Sequence, residues 1–363
     1  MAASRARRWF AAILLALAVA AAAGCSTVGY YLQAANGQME ISRKAQPIDK
    51  LLSDPAIDPQ LRAKLQRVAQ IRDYASRELG LPDNGSYRRY ADLKRPFVVW
   101  NVFAAPEFSL IPHEWCFPFA GCVGYKGYFG KDGAERLAAQ LREAHYDVFV
   151  GGVPAYSTLG WFDDPVLNTV IRYPDAEIAR LIFHELAHQL VYVKGDSTFN
   201  ESFAVTVEEE GSRRWLAAYG TDAQREEFDR ADRSRADFGA LIERYRKRLE
   251  SLYAQPMGAD AMRGEKQQIF EDMRAEHRRM KAGWGGFNGY DHWFEQPLNN
   301  AQLASVAIYS QLVPGFRRIL AQNDGDLPRF YAAVKELAKL PEAERREKLG
   351  GSGRATAASN EGS

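Results

Sequence analysis

The chain has 363 residues, 46% of them hydrophobic and 26% charged, enough for a substantial core and, on length alone, for two domains. A formal net charge of +1 leaves no dominant basic field, which argues against nucleic acid as a main partner. Three cysteines are too few for a disulfide scaffold.

Arg5, Arg7 and Arg8 precede an unbroken apolar run from Trp9 to Ala23. The run is shorter than the roughly 20 residues that cross a bilayer. Charge, apolar core and then small residues is the order of a secretory signal. The run ends Ala22-Ala23-Gly24-Cys25-Ser26, which resembles a bacterial lipobox with Ala22 where Leu is usual. That resemblance implies cleavage after residue 24 and lipidation of Cys25. The alternative is a plain signal peptide with an incidental cysteine. Several acyl chains on one cysteine would anchor the chain stably, where a single chain would not. Ser26 is not the Asp that, by resemblance to sorting rules, favours inner-membrane retention. The expectation is therefore a cell-envelope protein, lipid-anchored on the periplasmic face of the outer membrane.

From Leu51 to Leu79 apolar residues recur at three- and four-residue spacing, the pattern of an amphipathic helix, until Pro82-Asp83-Asn84-Gly85 breaks it. Phe97 to Phe103 reads as a strand from its β-branched and aromatic content. Cys116 and Cys122 flank a short segment. In an exported protein they can close a small disulfide loop, which compartment favours over free thiols, and no second pair exists to complete a zinc site made of four cysteines. A helix over residues 134–144 then leads to a strand, Tyr146 to Val150, followed by Gly151 and Gly152.

Tyr173-Pro174-Asp175 launches the next helix, with Asp175 the predicted N-cap and Ile178, Leu181, Ile182, Leu186 and Leu190 its buried stripe. This helix carries His184-Glu185-Leu186-Ala187-His188. Imidazoles at i and i+4 lie on one helix face and can reach a single ion, and Glu185 stands beside them as a candidate general base. Two His do not complete a catalytic zinc site, which takes three protein ligands and keeps one position open. Asn200-Glu201-Ser202-Phe203-Ala204 opens what reads as a second helix, and the 12 residues between His188 and Glu201 suffice to turn at Gly195-Asp196 and bring Glu201 back. Thr198 and Glu201 also fit a capping box, which would give that carboxylate a purely structural use. Glu208, seven residues on, lies near the same face and is a candidate to accept the free ring N–H of a ligating His.

The stretch from Thr221 to Ala282 is charged, with an intermittent apolar stripe, and reads as a long helical hairpin turning near Pro256-Met257-Gly258. His277 reads as a surface residue. Residues 283–293 interleave glycines with aromatics, a composition suited to a cleft wall. Peptide hydrolysis by a metal centre passes through an oxyanion that a Tyr or His donor helps to stabilise. The candidates are Tyr309, Tyr290 and His292, with Tyr309 preferred as the second catalytic residue beside Glu185. After Pro341 the chain turns charged and then rich in Gly, Ser and Ala, which predicts a disordered tail.

HELAH followed by NESFA resembles the glutamate-zincin metallopeptidases, whose third zinc ligand is the Glu of such a motif. The mature chain as a whole is similar to the bacterial family catalogued as predicted aminopeptidases. The lipoprotein start, Tyr30-Tyr31-Leu32-Gln33-Ala34 and Asn299-Asn300-Ala301 all fit that family. The resemblance implies one zinc per chain on His184, His188 and Glu201, Glu185 as general base, and a peptide or protein substrate. It also places an edge strand near residues 146–152 above the cleft, where a substrate backbone can pair; the alternative is that Gly151 and Gly152 only make a turn. The fold expected is α+β and mostly helical, zincin-like, with a small sheet from about 97 to 172 packed on the helix of His184. Domain bounds follow as 1–24 signal peptide, 25–340 metallopeptidase domain and 341–363 tail. No G-A-M-E-N-like motif is present to hold a substrate ammonium. An envelope endopeptidase with a quality-control role and a non-catalytic zinc-binding scaffold therefore stand as the alternatives. The sequence says nothing of oligomeric state.

Overall fold

The computed structural model describes residues 28–117, 121–155 and 157–350, the side chains of 308–310 excepted. In chain order the elements are α1 (residues 28–44), β1 (Gln46–Pro47), α2 (Ile48–Ser53), α3 (Pro59–Arg77), β2 (Arg89–Ala91), β3 (Val99–Pro106), β4 (Trp115–Phe117), β5 (Gly121–Val123), β6 (Lys126–Tyr128), α4 (Lys131–Glu143), β7 (Tyr146–Val153) and β8 (Val166–Leu167). Then follow α5 (Asp175–Leu190), α6 (Ser197–Tyr219), α7 (Asp222–Tyr253), α8 (Ala259–Lys281), α9 (Asp291–Glu295), α10 (Asn300–Ser310), α11 (Val313–Gln322), α12 (Leu327–Ala338) and α13 (Glu342–Leu349). The class is α+β and mostly helical, as the sequence predicts.

The main core forms where α3, α5, α6, α11 and α12 meet. Val68, Ile71, Ile178, Ile182, Leu186, Phe199, Phe203, Val207, Phe316 and Phe330 are all essentially closed to solvent. Helix α6 comes close to α5 because position 211 has no side chain. A Cβ built on Gly211 would lie 2.9 Å from the Phe183 ring and 2.8 Å from Leu79. Pro174 rather than Asp175 occupies the N-cap of α5. Asp175 sits in the first turn, where Lys64 and Arg67 grip its carboxylate at 2.8 and 3.2 Å.

The strands form three small sheets instead of one. In the largest, order β6-β3-β7, β3 runs antiparallel to both neighbours and β7 is an edge. Strand β7 is not free along its length, since Asn299 Nδ2 donates to Val148 O at 3.1 Å. Strands β4 and β5 form a hairpin closed by a Cys116–Cys122 disulfide. The Asn299-Asn300-Ala301 segment explains itself here. Asn299 caps α10 by accepting from Gln302 N, and fully buried Asn300 bonds the backbone of Pro106 and Glu107, Asp147 and the hydroxyl of Tyr253. It joins sheet, α10 and the helical hairpin at one point.

Helices α7 and α8 make the predicted hairpin, but its far end differs from expectation. His277 is buried and stacks on Phe294 at 3.7 Å, because the glycine-rich segment folds back over α8 and covers it. Trp284, Phe287 and Tyr290 join that aromatic cluster, with Tyr290 stacked on Phe238 at 3.9 Å. Residues 342–349, expected to belong to a disordered tail, form α13, and residues 351–363 lie outside the described residues. Leu349 of α13 is buried, and Arg345 pairs with Asp196 at 2.6 Å, both side chains almost fully enclosed. An apolar anchor and a buried ion pair hold residues that composition alone reads as solvated.

Candidate metal centre

His184 and His188 lie one turn apart on α5, and the start of α6 faces them. Asp196, not Thr198, caps α6, accepting from Phe199 N at 3.1 Å, so the Glu201 carboxylate is free of any capping duty. Asn200 locks the turn between the helices through paired bonds to Val193 N and O, 2.8 Å each. Glu201 Oε2 then lies 3.1 Å from His184 Nε2 and 3.6 Å from His188 Nε2, and the two Nε2 atoms are 3.1 Å apart. Donor atoms on a tetrahedral zinc with bonds of about 2.0–2.1 Å stand about 3.3 Å from one another. Three donors from two helices thus already sit at the spacing of a tetrahedral face. Among the described residues this is the one group of three or more His, Cys, Asp or Glu able to hold a metal ion. The donor set, two imidazole nitrogens and one carboxylate oxygen, suits zinc and leaves a fourth position for water or substrate.

Behind the ligands runs a chain of buried charge. His184 Nδ1 lies 2.7 Å from Glu208 Oε2, and Glu208 Oε1 accepts from Arg180 Nη2 and Nε at 2.6 and 3.1 Å. Arg180 continues to Asp232 on α7 at 3.1 Å. Burial pushes the Glu208 carboxyl up, but the Arg180 guanidinium and His184 outweigh it and hold it at about 2. A carboxylate only accepts, so His184 Nδ1 donates to Glu208, which leaves Nε2, 3.1 Å from Glu201, as the nitrogen a metal ion would take. Burial likewise raises Glu201, and the charge of His188 with bonds to both imidazoles holds it well below the usual carboxylate range. His188 Nδ1 is buried and has no partner among the described residues.

Glu185 projects from the same turn and makes no hydrogen bond or ion pair to a described residue, so its carboxylate is available. Three residues that no sequence motif marks have their pKa raised by burial and, further, by its charge. Tyr125, between β5 and β6, is pushed up by burial and then by the negative charges of Glu201, Tyr192 and Glu185. Tyr87 is 2% exposed, holds a left-handed backbone at φ 62°, and has a hydroxyl without a partner among the described residues. Non-glycine residues adopt that region rarely. Burial and then Glu185 and Asp164 raise its pKa. Asp164 is closed to solvent and pushed up to about 6 by burial, against bonds from Thr158. Gln189, beside His188, fastens this wall through Asn84 at 2.7 Å and Ser86 at 3.2 Å. On the opposite side the disulfide hairpin presses on the α5–α6 turn, where a Cβ on Gly121 would lie 2.9 Å from Gly195 N.

Other expected site residues lie elsewhere. Tyr290 belongs to the α7–α8 aromatic cluster, and the His292 side chain is 85% exposed on the surface beside Glu295. The Tyr309 side chain lies outside what the structure describes, and Cys25 lies outside the described residues. The three missed residues come from loops 98, 60 and 21 positions before Glu185, a separation that only the folded chain closes.

The model of a family described as "putative aminopeptidase" matches residues 29–349. The chain belongs to that family. The match runs from α1 through α13 and takes in the whole metal centre. No curated protein and no solved structure matches the chain.

Proposed function

We propose that the chain is a zinc-dependent peptidase of the cell envelope, with His184, His188 and Glu201 as metal ligands and Glu185 as general base. The observation that carries this reading is the spacing of the three donors beside an unencumbered glutamate. A structural zinc needs no general base and favours a closed, sulfur-rich shell. A bound zinc ion supplies Lewis-acid polarisation of a scissile carbonyl and lowers the pKa of water. Glu185 takes the proton of the attacking water and hands it to the leaving amine. Glu208 and Arg180 keep His184 in the tautomer and orientation that ligation needs. Tyr125, on the side of the hairpin, donates to the carbonyl oxygen as negative charge develops on it.

The family description supports an aminopeptidase. Asp164 does not serve as the anchor for a substrate ammonium, because its oxygens already accept from Thr158 and Ser157. We further propose that Cys25 is lipidated and holds the enzyme at the outer membrane, facing the periplasm.

Metal content and peptide hydrolysis, measured on the wild type and on Glu185→Gln, test the reading together. Both proteins are expected to bind about one zinc, and the variant to lose on the order of 10²–10⁴-fold in kcat. Peptides with free N-termini should be cleaved and acetylated ones spared. Cleavage of the acetylated set identifies an endopeptidase. Zinc without cleavage by either protein of a broad library leaves a scaffold, and no zinc in either refutes the centre.

A further inference from the structure

Helix α1 has two unlike faces. The inner one is fastened to the body. Gly37 packs against the Phe129 ring, Gln33 Oε1 accepts from Phe129 N at 3.0 Å, Glu40 pairs with Arg95 at 2.7 Å, and Ile41 is 2% exposed. Tyr30 stacks on Phe117 at 5.6 Å, with Lys126 Nζ 4.4 Å from its ring. The outer one carries Val28, Tyr31, Leu32, Ala35 and Met39, all exposed; Val28, Leu32 and Met39 each keep more than half of their surface open. These positions fall within a stripe about 100° wide on a helix of 3.6 residues per turn. No charged residue occurs between Cys25 and Glu40, in a chain of which 26% is charged. A helix face meant for water would carry some.

The stripe begins three residues after Cys25, at most about 11 Å of fully extended chain. Acyl chains on Cys25 would therefore bring Val28 to the bilayer whatever path residues 26 and 27 take. Met39 follows about 17 Å further along the helix axis. Among the described residues no helix is long and apolar enough to cross a membrane, so this face suits the interface and not a span. Tyr31 has the amphipathic ring that settles at headgroup level, and Arg43 closes the stripe with a cation.

We propose that the outer face of α1 lies on the surface of the anchoring membrane, so that the enzyme is docked in one orientation and does not swing on a tether. The proposal rests on the lipid anchor at Cys25 proposed above. It has a consequence at the site. The hairpin and strand that receive Tyr30, at Phe117 and Lys126, flank Tyr125, so the same elements link the membrane contact to Tyr125.

The test uses the full-length lipoprotein, exported, purified and reconstituted in phosphatidylethanolamine–phosphatidylglycerol vesicles. Single variants Leu32→Cys, Met39→Cys and, on the exposed face of α12, Lys335→Cys receive an environment-sensitive fluorophore. Cys116 and Cys122 are bonded to each other and do not react. Mass spectrometry reports the state of Cys25 on the same samples. Labels at 32 and 39 are expected to shift to the blue and to lose intensity to a lipid-borne quencher, while the label at 335 does neither. Labels at 32 and 39 that match 335, on protein whose Cys25 carries acyl mass, overturn the docked face and leave the anchor standing. A blue shift that persists in detergent, grows with protein concentration and ignores the lipid quencher assigns the face to a second copy and overturns the proposal. Cys25 without acyl mass overturns the anchor and the docked face together.

Discussion

At the scale of single residues, the candidate metal centre depends on atoms that would never touch an ion. His184 uses one ring nitrogen toward Glu201 and the other toward Glu208, and Arg180 and Asp232 stand behind. Removing Arg180 or Glu208 strands a charge in a space almost closed to water, which is why each carries more than its own contact. Tyr125 is the residue whose assignment adds most. If its hydroxyl donates to developing charge, Tyr125→Phe should lower kcat by on the order of 10²-fold with zinc content and melting temperature unchanged. Steady-state kinetics beside metal analysis decide it. An unchanged kcat would mean that the ring only packs against Phe103, 5.6 Å away.

At the scale of elements, helix α6 is the part on which the site turns, and its placement is governed from far along the chain. Asp196 caps α6 and is held by Arg345, with Nη2 at 2.6 Å and Nε at 3.2 Å. Arg345→Ala leaves the Asp196 carboxylate buried without its counterion, and breaking such a pair costs about 3–5 kcal/mol. The variant should unfold at lower urea and bind zinc more weakly, because the turn before Glu201 loosens. Wild-type zinc affinity in that variant would show that the cap holds by itself. The elements also show what the sequence made legible. His184, His188 and Glu201 were readable because helical periodicity and one short turn are local properties. Glu208 was nominated from its spacing to Glu201, and the structure places it on the other ring nitrogen of His184. Tyr87 and Tyr125 left no signal, since loops with no period of their own deliver them. The aromatic segment after Gly283 misled for a related reason: exposed glycines and aromatics look like a cleft wall until the hairpin that buries them is known.

At the scale of the whole molecule, stability against pH carries a mark of the wall beside Glu185. Burial raises Asp164 from 3.8 to about 6, so the folded state binds a proton that the unfolded chain releases at lower pH. The stability this provides is full below about pH 4 and is lost as pH rises through about 6. The amount is of order 3 kcal/mol. Asp164→Asn keeps an acceptor and removes the charge, so its melting temperature should gain on that of the wild type between pH 4 and pH 8. Thermal melts at the two pH values measure this, and an equal difference at both would show that Asp164 ionises without cost.

The pairing of Arg345 with Asp196 also sets an order of events. Synthesis runs from the N-terminus at about 5–20 residues per second, so both His, Glu201 and Glu208 exist seconds before residue 345 does. Until then the turn that aims Glu201 lacks its counterion and α13 is not there to seat Leu349. A copy cut short before α13 would carry His184, His188 and Glu201 and still hold them less firmly in place. For the peptidase proposed above, incomplete molecules would thus be silent, and α13, made long after the candidate ligands, would be the element that arms them.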